Sequence, residues 1–453
     1  MKKTLIIASV LMAMLFAGCS KDTVETKSKA LPEAKQITLT VSAVTKNPNV
    51  TSKAQTRVAY GSTDATWETG DKIFLIKNDG ATITLTLSSG AGTSVGSFTS
   101  TDPVVAGTYI PYAVSASSLS KGYVSVSEGQ ITLDLSAGGG GTLAEALEHD
   151  ILKGTAVELT DNQTTATIED LTTHMLSYLR FQFAATEKAI STIGVSSAGG
   201  INQNVTIAAN GTVTGSNPTT DAISVTAGND GANTYAGYIA VYGSTTTSLV
   251  AHAEDAEGGK YSRLVSTKTA DYAAGKVYGK TFTLSNAMMT AAATGTLSDQ
   301  NWKNLGLSVK WSEFYVYTSE EFAYNRSFET YASSTYPPAS WSGWRLPTQK
   351  EVQELYYAST LEWISSGSNG MKFNCNGSYI AMGASGNHYD WEVGDRDNEV
   401  GESVYFFINE TSGDNRMWTR ITSTDFSFAN PNSRCTNVRC FTYYGAMRLV
   451  CDY

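Results

Sequence analysis

Six carboxylates crowd one stretch near the end of the chain: Asp390, Glu392, Asp395, Asp397, Glu399 and Glu402. Oxygen ligands at that density suit calcium, which takes about six to eight of them. The spacing is not that of an EF-hand loop, because the twelfth position counted from Asp395 is Phe406 rather than Glu. The stretch therefore reads as a solvated acidic loop. Calcium is the one cofactor it could support, and none is expected to be resident. Trp391 and Trp418 could stack on a sugar ring or simply pack the core. Four cysteines, Cys375, Cys435, Cys440 and Cys451, lie in the last 80 residues. In an exported protein they suggest two disulfides, with three pairings open. Zinc is the poorer reading, since Cys-x4-Cys has no second matching pair. Of the four histidines (His149, His174, His252, His388), none lies near a candidate Ser or Cys nucleophile in sequence. The glycine run 138–141 has no Lys-Ser/Thr after it, so it is a loop rather than a phosphate cradle. Catalysis is not expected.

Arg57 is a different kind of reactive residue. It is the first Arg of the chain, the next being Arg180, and every basic residue before it is Lys. An Arg-specific protease thus has one early target. Arg57 follows an alternating segment, 37–44, and a polar stretch, 45–56, of the kind that is nicked when exposed. A cut there would free the alternating segment and leave an open sheet edge, a template for another strand.

The elements that position these residues can be read from pattern. With 453 residues, the chain is long enough for two or three domains of ~100–200 residues. Its net charge is −10 and no basic run occurs, which excludes a nucleic-acid partner bound through phosphates. Lys2 and Lys3 precede an apolar run, 5–16, then Ala17 and Gly18: a secretory signal. A polar tether follows, 20–35, and no later segment approaches the ~18 apolar residues of a membrane span. Beyond it, Ile37, Leu39, Val41 and Ala43 alternate with polar residues, as do Ile73 and Leu75, Ile83 and Leu85, and Tyr238, Ala240 and Tyr242. A period of two means strands with one buried face. Turn signals such as Asn78-Asp79-Gly80 and Asn210-Gly211 separate them. Antiparallel β-sandwiches, two in tandem, are expected over 36–185 and 186–286. A small-residue linker, 287–296, then leads to a region, 297–453, that holds seven of the eight Trp. There Thr348 and Glu351 form a capping box for a helix whose Val352 and Leu355 face inward. Trp67 and Phe181 are expected core anchors, Gly70-Asp71 a turn, and His174 a satisfied core histidine.

Several of these segments resemble known families. Phe16-Ala17-Gly18-Cys19 resembles a bacterial lipobox, with Phe16 where Leu is usual. That implies cleavage after residue 18, a lipid on Cys19 and attachment to the outer membrane. Thr56-Arg57 followed by Trp67-Glu-Thr-Gly70-Asp71-Lys-Ile73 resembles the opening of fimbrillin-like proteins, the lipoprotein pilins of Gram-negative anaerobes. Tyr109-Ile-Pro111-Tyr112, His149-Asp150-Ile-Leu152, His174-Met-Leu176-Ser177-Tyr-Leu179-Arg-Phe181 and Ala274-Gly275-Lys-Val277-Tyr278 follow in that family's order. In the C-terminal region, Leu305-Gly306-Leu307-Ser308-Val309-Lys310-Trp311, Trp344-Arg345-Leu346-Pro347-Thr348 and Tyr443-Tyr444-Gly445 with Arg448 resemble the Fibrobacter succinogenes major paralogous domain, of C-type-lectin-like fold. Asn369-Gly370-Met371-Lys372-Phe373 and Asn376-Gly377-Ser378-Tyr379-Ile380 fit its middle. A weaker likeness, to formylglycine-generating enzymes, touches Arg345-Leu-Pro-Thr348, Cys435, Cys440, Arg448 and Cys451, but the rest of that family's sequence is missing.

Together these resemblances imply a mainly β protein: two fimbrillin-like sandwiches followed by an α+β C-type-lectin-like domain. They imply a pilus subunit cut after Arg57 and joined to other fimbrillin subunits by strand donation. A chain ending in a folded domain has no free donor strand, which suits the tip, with a glycan or surface protein as ligand. The alternatives are a surface lipoprotein that never enters a pilus and a pilus anchor. Sugar-binding members carry a Glu-Pro-Asn-like triplet; here Asn430-Pro431-Asn432 stands without that family's second motif. The candidate ligand residues are thus Trp391, Asp395, Asp397, Glu399, Trp418, Asn430 and Asn432. The final strand that holds Cys451 implies a bridge between Cys375 and a cysteine near the terminus.

Overall fold

The computed structural model describes residues 37–42, 49–50, 66–168, 171–184, 187–246, 248–268, 270–284, 296–297, 300–312, 315–316, 322–323, 344–365, 369–383, 387–390, 396–398, 404–412, 415–429, 442–444 and 450–451. They fold mainly into strands, as the alternation predicts. A nine-stranded sheet runs in the order Thr165–Ile168, Ile37–Ser42, Val95–Ser100, Thr82–Ser89, Lys72–Lys77, Gly107–Val114, Leu152–Lys153, Thr173–His174, with Val157–Leu159 also on Gly107–Val114. A second, six-stranded sheet centres on Ser177–Ala184, flanked by Thr234–Val241 and Lys276–Thr283. A two-stranded sheet, Gly243–Thr246 with Ala270–Tyr272, and two four-stranded sheets complete the body. One is built on Ile190–Ser197 and Leu249–Asp255, the other on Gln130–Asp134 and Ile201–Ile207.

Two expectations about this body are corrected. The strand Lys72–Lys77 buries both faces rather than one: Ile73 and Leu75 enter one apolar cluster, Phe74 and Ile76 another. The continuous run Ile-Phe-Leu-Ile is the reason, since a strand covered on both sides needs no polar face. The boundary at 185–186 is also crossed. Ser177–Ala184 pairs along its whole length with Thr234–Val241, antiparallel, and with Lys276–Thr283, parallel. Ile201–Ile207 likewise pairs back to Gln130–Asp134. One core therefore joins Tyr112 and Val114 of the first sheet to Tyr178, Tyr238 and Val277 of the second. The sheets are mixed rather than purely antiparallel, because the long excursion between 184 and 276 supplies the crossover a parallel pair needs. Trp67 and Phe181 are buried, as expected of anchors. The Gly70-Asp71 turn forms, Asp71 accepting the Glu68 N–H at 2.8 Å.

The C-terminal region has its own core, with Trp311, Val352, Leu355, Phe373 and Val450 at its centre. The helix Gln349–Ala358 starts with the expected reciprocal Thr348–Glu351 box and buries Val352 and Leu355. It packs beside a three-stranded sheet, Thr360–Ile364, Gly370–Cys375 and Ser378–Gly383. Of the expected linker, residues 287–295 lie outside the described residues. No helix among the described residues is long and apolar enough to cross a membrane.

Candidate functional site

The strand that precedes Arg57 is an internal strand. Ile37–Ser42 lies between Val95–Ser100, antiparallel, and Thr165–Ile168, parallel. Leu39 stands opposite Phe98 and Ala166, and Val41 opposite Gly96 and Ile168. The cluster beneath this seat holds Trp67, Leu85, Phe98, Ile168 and Leu171. Trp67 meets Phe98 edge-on, ring centroids 4.8 Å apart. Farther along, Asn49–Val50 pairs with Lys276–Thr283, Val50 opposite Val277. The segment 37–50 therefore contributes strands to both large sheets. Its removal would strip hydrogen-bond partners from Val95–Ser100 and Thr165–Ile168 in the first sheet, and from the edge of Lys276–Thr283 in the second. Alternation showed that residues 37–43 form a strand. The sequence carried no signal for which strands would flank it.

The body is pinned where the two large sheets meet. Asp150 is buried, and its Oδ1 accepts from the N–H groups of Ile151 (2.8 Å), Met175 (3.0 Å) and Leu176 (3.1 Å). Its Oδ2 accepts from His174 Nδ1 at 2.8 Å and from the Tyr178 hydroxyl at 2.9 Å. Burial, then the Asp150 carboxylate beside it, pushes the Tyr178 hydroxyl well above the ordinary tyrosine range. His174 is thus a satisfied core histidine, as expected. His149 is buried too, stacked on Tyr123, with Nδ1 3.3 Å from the Asp134 carbonyl oxygen.

A second polar junction fastens the C-terminal region to the strand Lys260–Ser266. The buried Arg263 donates to the Gly306 carbonyl at 2.9 Å, and the Ser262 N–H donates to the same oxygen at 2.8 Å. From the helix, the buried Glu354 accepts the Leu264 N–H at 3.1 Å through Oε1. Its Oε2 accepts the Ser308 N–H at 2.8 Å and the Ser308 hydroxyl. Gly306 adopts φ +67°, and a Cβ there would stand 2.0 Å from the Lys260 carbonyl oxygen, so only glycine permits this approach. The Leu305-Gly306-Leu307-Ser308 motif is thus a docking loop.

His252 lies under this junction. Ser262 donates to Asn376 Oδ1 at 3.1 Å, so it accepts from His252 Nδ1 at 2.9 Å, while Ser196 donates to His252 Nε2 at 2.8 Å. Burial lowers the His252 pKa from 6.5 to about 4. The unfolded chain therefore binds a proton that the folded chain refuses between those values. Stability from this group is complete above pH ~7 and declines as pH falls through 6.5 toward 4, by roughly 3 kcal/mol in total. Urea titrations at pH 7.5 and pH 4 should show that loss, and His252→Gln should remove that part of it. An unchanged pH dependence in the variant would rule the group out.

Cys19, Arg57, Trp391, Asp395, Glu399, Asn430, Asn432, Cys435 and Cys440 lie outside the described residues. For three others the backbone is placed: Asp397 opposite His388, Trp418 opposite Phe407 and Ala429, and Cys451 opposite Lys310 and Trp344. Among the described residues no group of His, Cys, Asp and Glu could hold a metal ion. The bridge expected at Cys375 is corrected: its thiol is free and buried, 3.4 Å from the Ala358 carbonyl oxygen. The reason is the strand's alternation, which turns Met371, Phe373 and Cys375 together into the core. Burial pushes this thiol up to about 12, so it is unreactive at neutral pH.

No family model matches the chain, and no curated protein does. Among solved structures it is similar to a candidate cell adhesion protein from Bacteroides ovatus, at 12% identity and TM-score 0.37 over 55% of this chain and 92% of that one. A candidate cell adhesion protein from Bacteroides fragilis gives 16%, 0.35, 55% and 93%. The fimbrial anchor protein Mfa2 from Porphyromonas gingivalis gives 10%, 0.28, 49% and 78%.

Proposed function

We propose that this chain is a structural and adhesive subunit of a pilus assembled by strand exchange, placed at the tip. One observation carries the reading: the strand Ile37–Ser42 fills an internal position of the first sheet, between partners far away in sequence, and is followed by the first Arg of the chain. In this reading the protein is exported, lipidated on Cys19 at the outer membrane, and cut after Arg57. The segment 37–50 then leaves, and a strand from the next fimbrillin subunit takes the vacated place, the β-augmentation mode of recognition. Only an internal strand gives this outcome, because its loss exposes two ladders and an apolar floor at once. The C-terminal region, α+β and rich in Trp, is read as a lectin-like adhesin for a glycan or surface protein. Its junction with Lys260–Ser266 would transmit pull on that region to the body.

A second reading has its own support. The seat is filled and both ladders are complete in the intact chain, so an uncut surface lipoprotein or pilus anchor would be stable as it stands.

The test is Arg57→Ala in cells carrying the assembly system. Wild-type subunits in sheared pilus fractions should start near Val58, and the variant should stay in the membrane starting at Cys19. Variant chains that still appear shortened in the pilus fraction would show that Arg57 is not the switch. A wild-type chain that always starts at Cys19 would favour the second reading.

A further inference from the structure

We propose that Lys260–Ser266 is a strand-accepting edge held shut by the C-terminal region, and that once this region lifts the edge pairs with the same strand of a second copy of the chain. The proposal does not depend on exchange at Ile37–Ser42.

Lys260–Ser266 ends a four-stranded sheet, in the order Ile223–Thr226, Ile190–Ser197, Leu249–Asp255, Lys260–Ser266. Among the described residues its one strand partner is Leu249–Asp255. Residues of an antiparallel ladder alternate: one exchanges both hydrogen bonds with its partner, and the next points its N–H and carbonyl away. Ser262 and Leu264 are of the second kind, because their N–H groups leave the sheet for Gly306 and Glu354. By the same alternation Lys260 points outward too, and its carbonyl oxygen is the atom that would stand 2.0 Å from a Cβ on Gly306. A row of outward backbone groups is a template for another strand, and proteins cover such rows with a helix or loop.

The cover here is not a strand. The Ser262 N–H meets a loop carbonyl at 2.8 Å, and the Leu264 N–H meets a helix carboxylate at 3.1 Å. Each of these two donors, which a newcomer strand would use, thus has its own acceptor from a different element. Gly306 takes a left-handed conformation to approach Lys260, and Glu354 buries a carboxylate to reach Leu264. Apolar packing alone would require neither.

The edge itself specifies a second copy as its occupant. An antiparallel pair of identical strands has a two-fold axis, so its register is fixed by the residue at the centre. Centred on Ser262, the pair sets the two copies of Ser262 opposite each other and Lys260 opposite Leu264 of the partner subunit. Every outward group from 260 to 264 is then paired. Arg263 stands opposite Tyr261 of the partner subunit, a favourable meeting of a cation with an aromatic ring. Centred on Arg263 instead, the pair would set two arginines face to face, which is unfavourable. The Ser262-centred register joins the two four-stranded sheets into one.

The experiment opens the cover in the full, uncut chain and measures mass against concentration by sedimentation equilibrium, with wild type as the baseline. Gly306→Ala drives the loop off Lys260, and Glu354→Ala removes the acceptor of Leu264. Together they should tighten dimerisation roughly tenfold or more. Adding Leu264→Pro removes an outward N–H but no hydrogen bond of the ladder to Leu249–Asp255, and proline is tolerated on such an edge. It should return the mass to that of wild type. If the paired changes unfold the chain, Glu354→Ala alone carries the same test with a smaller shift. An opened variant with native circular dichroism and no gain in mass overturns the proposal. So does a gain that Leu264→Pro leaves in place, which would mean association through exposed apolar surface rather than strand pairing.

Discussion

Asp150→Ala is expected to lower the stability of the body by about 4 kcal/mol or more, enough to unfold a marginal domain. The carboxylate accepts three backbone N–H groups through Oδ1, and His174 and Tyr178 through Oδ2. Alanine would leave all five donors buried at the meeting of the two large sheets. Each unsatisfied donor costs ~1–3 kcal/mol, though relaxation and water entry would recover part of the sum. Asp150→Asn should be milder. Its carbonyl oxygen can keep the backbone donors, and a tyrosine hydroxyl or a neutral imidazole nitrogen can accept from the new amide. Urea unfolding followed by far-UV circular dichroism measures both variants. An alanine variant within about 1 kcal/mol of wild type would show that Asp150 is not the clasp.

Glu354→Ala is expected to cost about 3 kcal/mol and to loosen the C-terminal region from the body. It would leave the N–H groups of Leu264 and Ser308 without their acceptor, one on each side of the junction. Glu354→Gln keeps one carbonyl oxygen for these donors and should lose about half as much. Seven of the eight Trp lie beyond residue 287, so indole fluorescence follows the C-terminal region while circular dichroism follows the whole. In the wild type the two signals should change together. In Glu354→Ala the fluorescence transition should come first. Coincident, unshifted transitions in the variant would mean the junction carries little coupling. Cutting the C-terminal region away would also cost the body, since Arg263 and the Ser262 N–H would lose their acceptor at Gly306.

What the sequence determined by itself was local. Period-two alternation identified strands, and the capping box placed the start of the helix at Thr348. Trp67, Phe181 and His174 were recognisable as core residues from the apolar neighbours around them. These features depend on residues within a few positions of one another, so a linear reading suffices. Alternation says which face of a strand is buried, but not which strand lies beside it. Ser177–Ala184 looked like the last strand of a first sandwich, yet it is central to the second sheet, because its partners at 234–241 and 276–283 arrive from far along the chain. Cys375 had three possible partners by composition, and its strand turned it into the core instead. Glu354, a polar residue between two apolar helix positions, gave no hint that it would be buried against Lys260–Ser266. The site itself divides the same way. The strand at 37–43 and the Arg after it were visible in sequence. That the strand lies inside a sheet was decided only by long-range pairing, which sets Gly96 on one side of Val41 and Ile168 on the other.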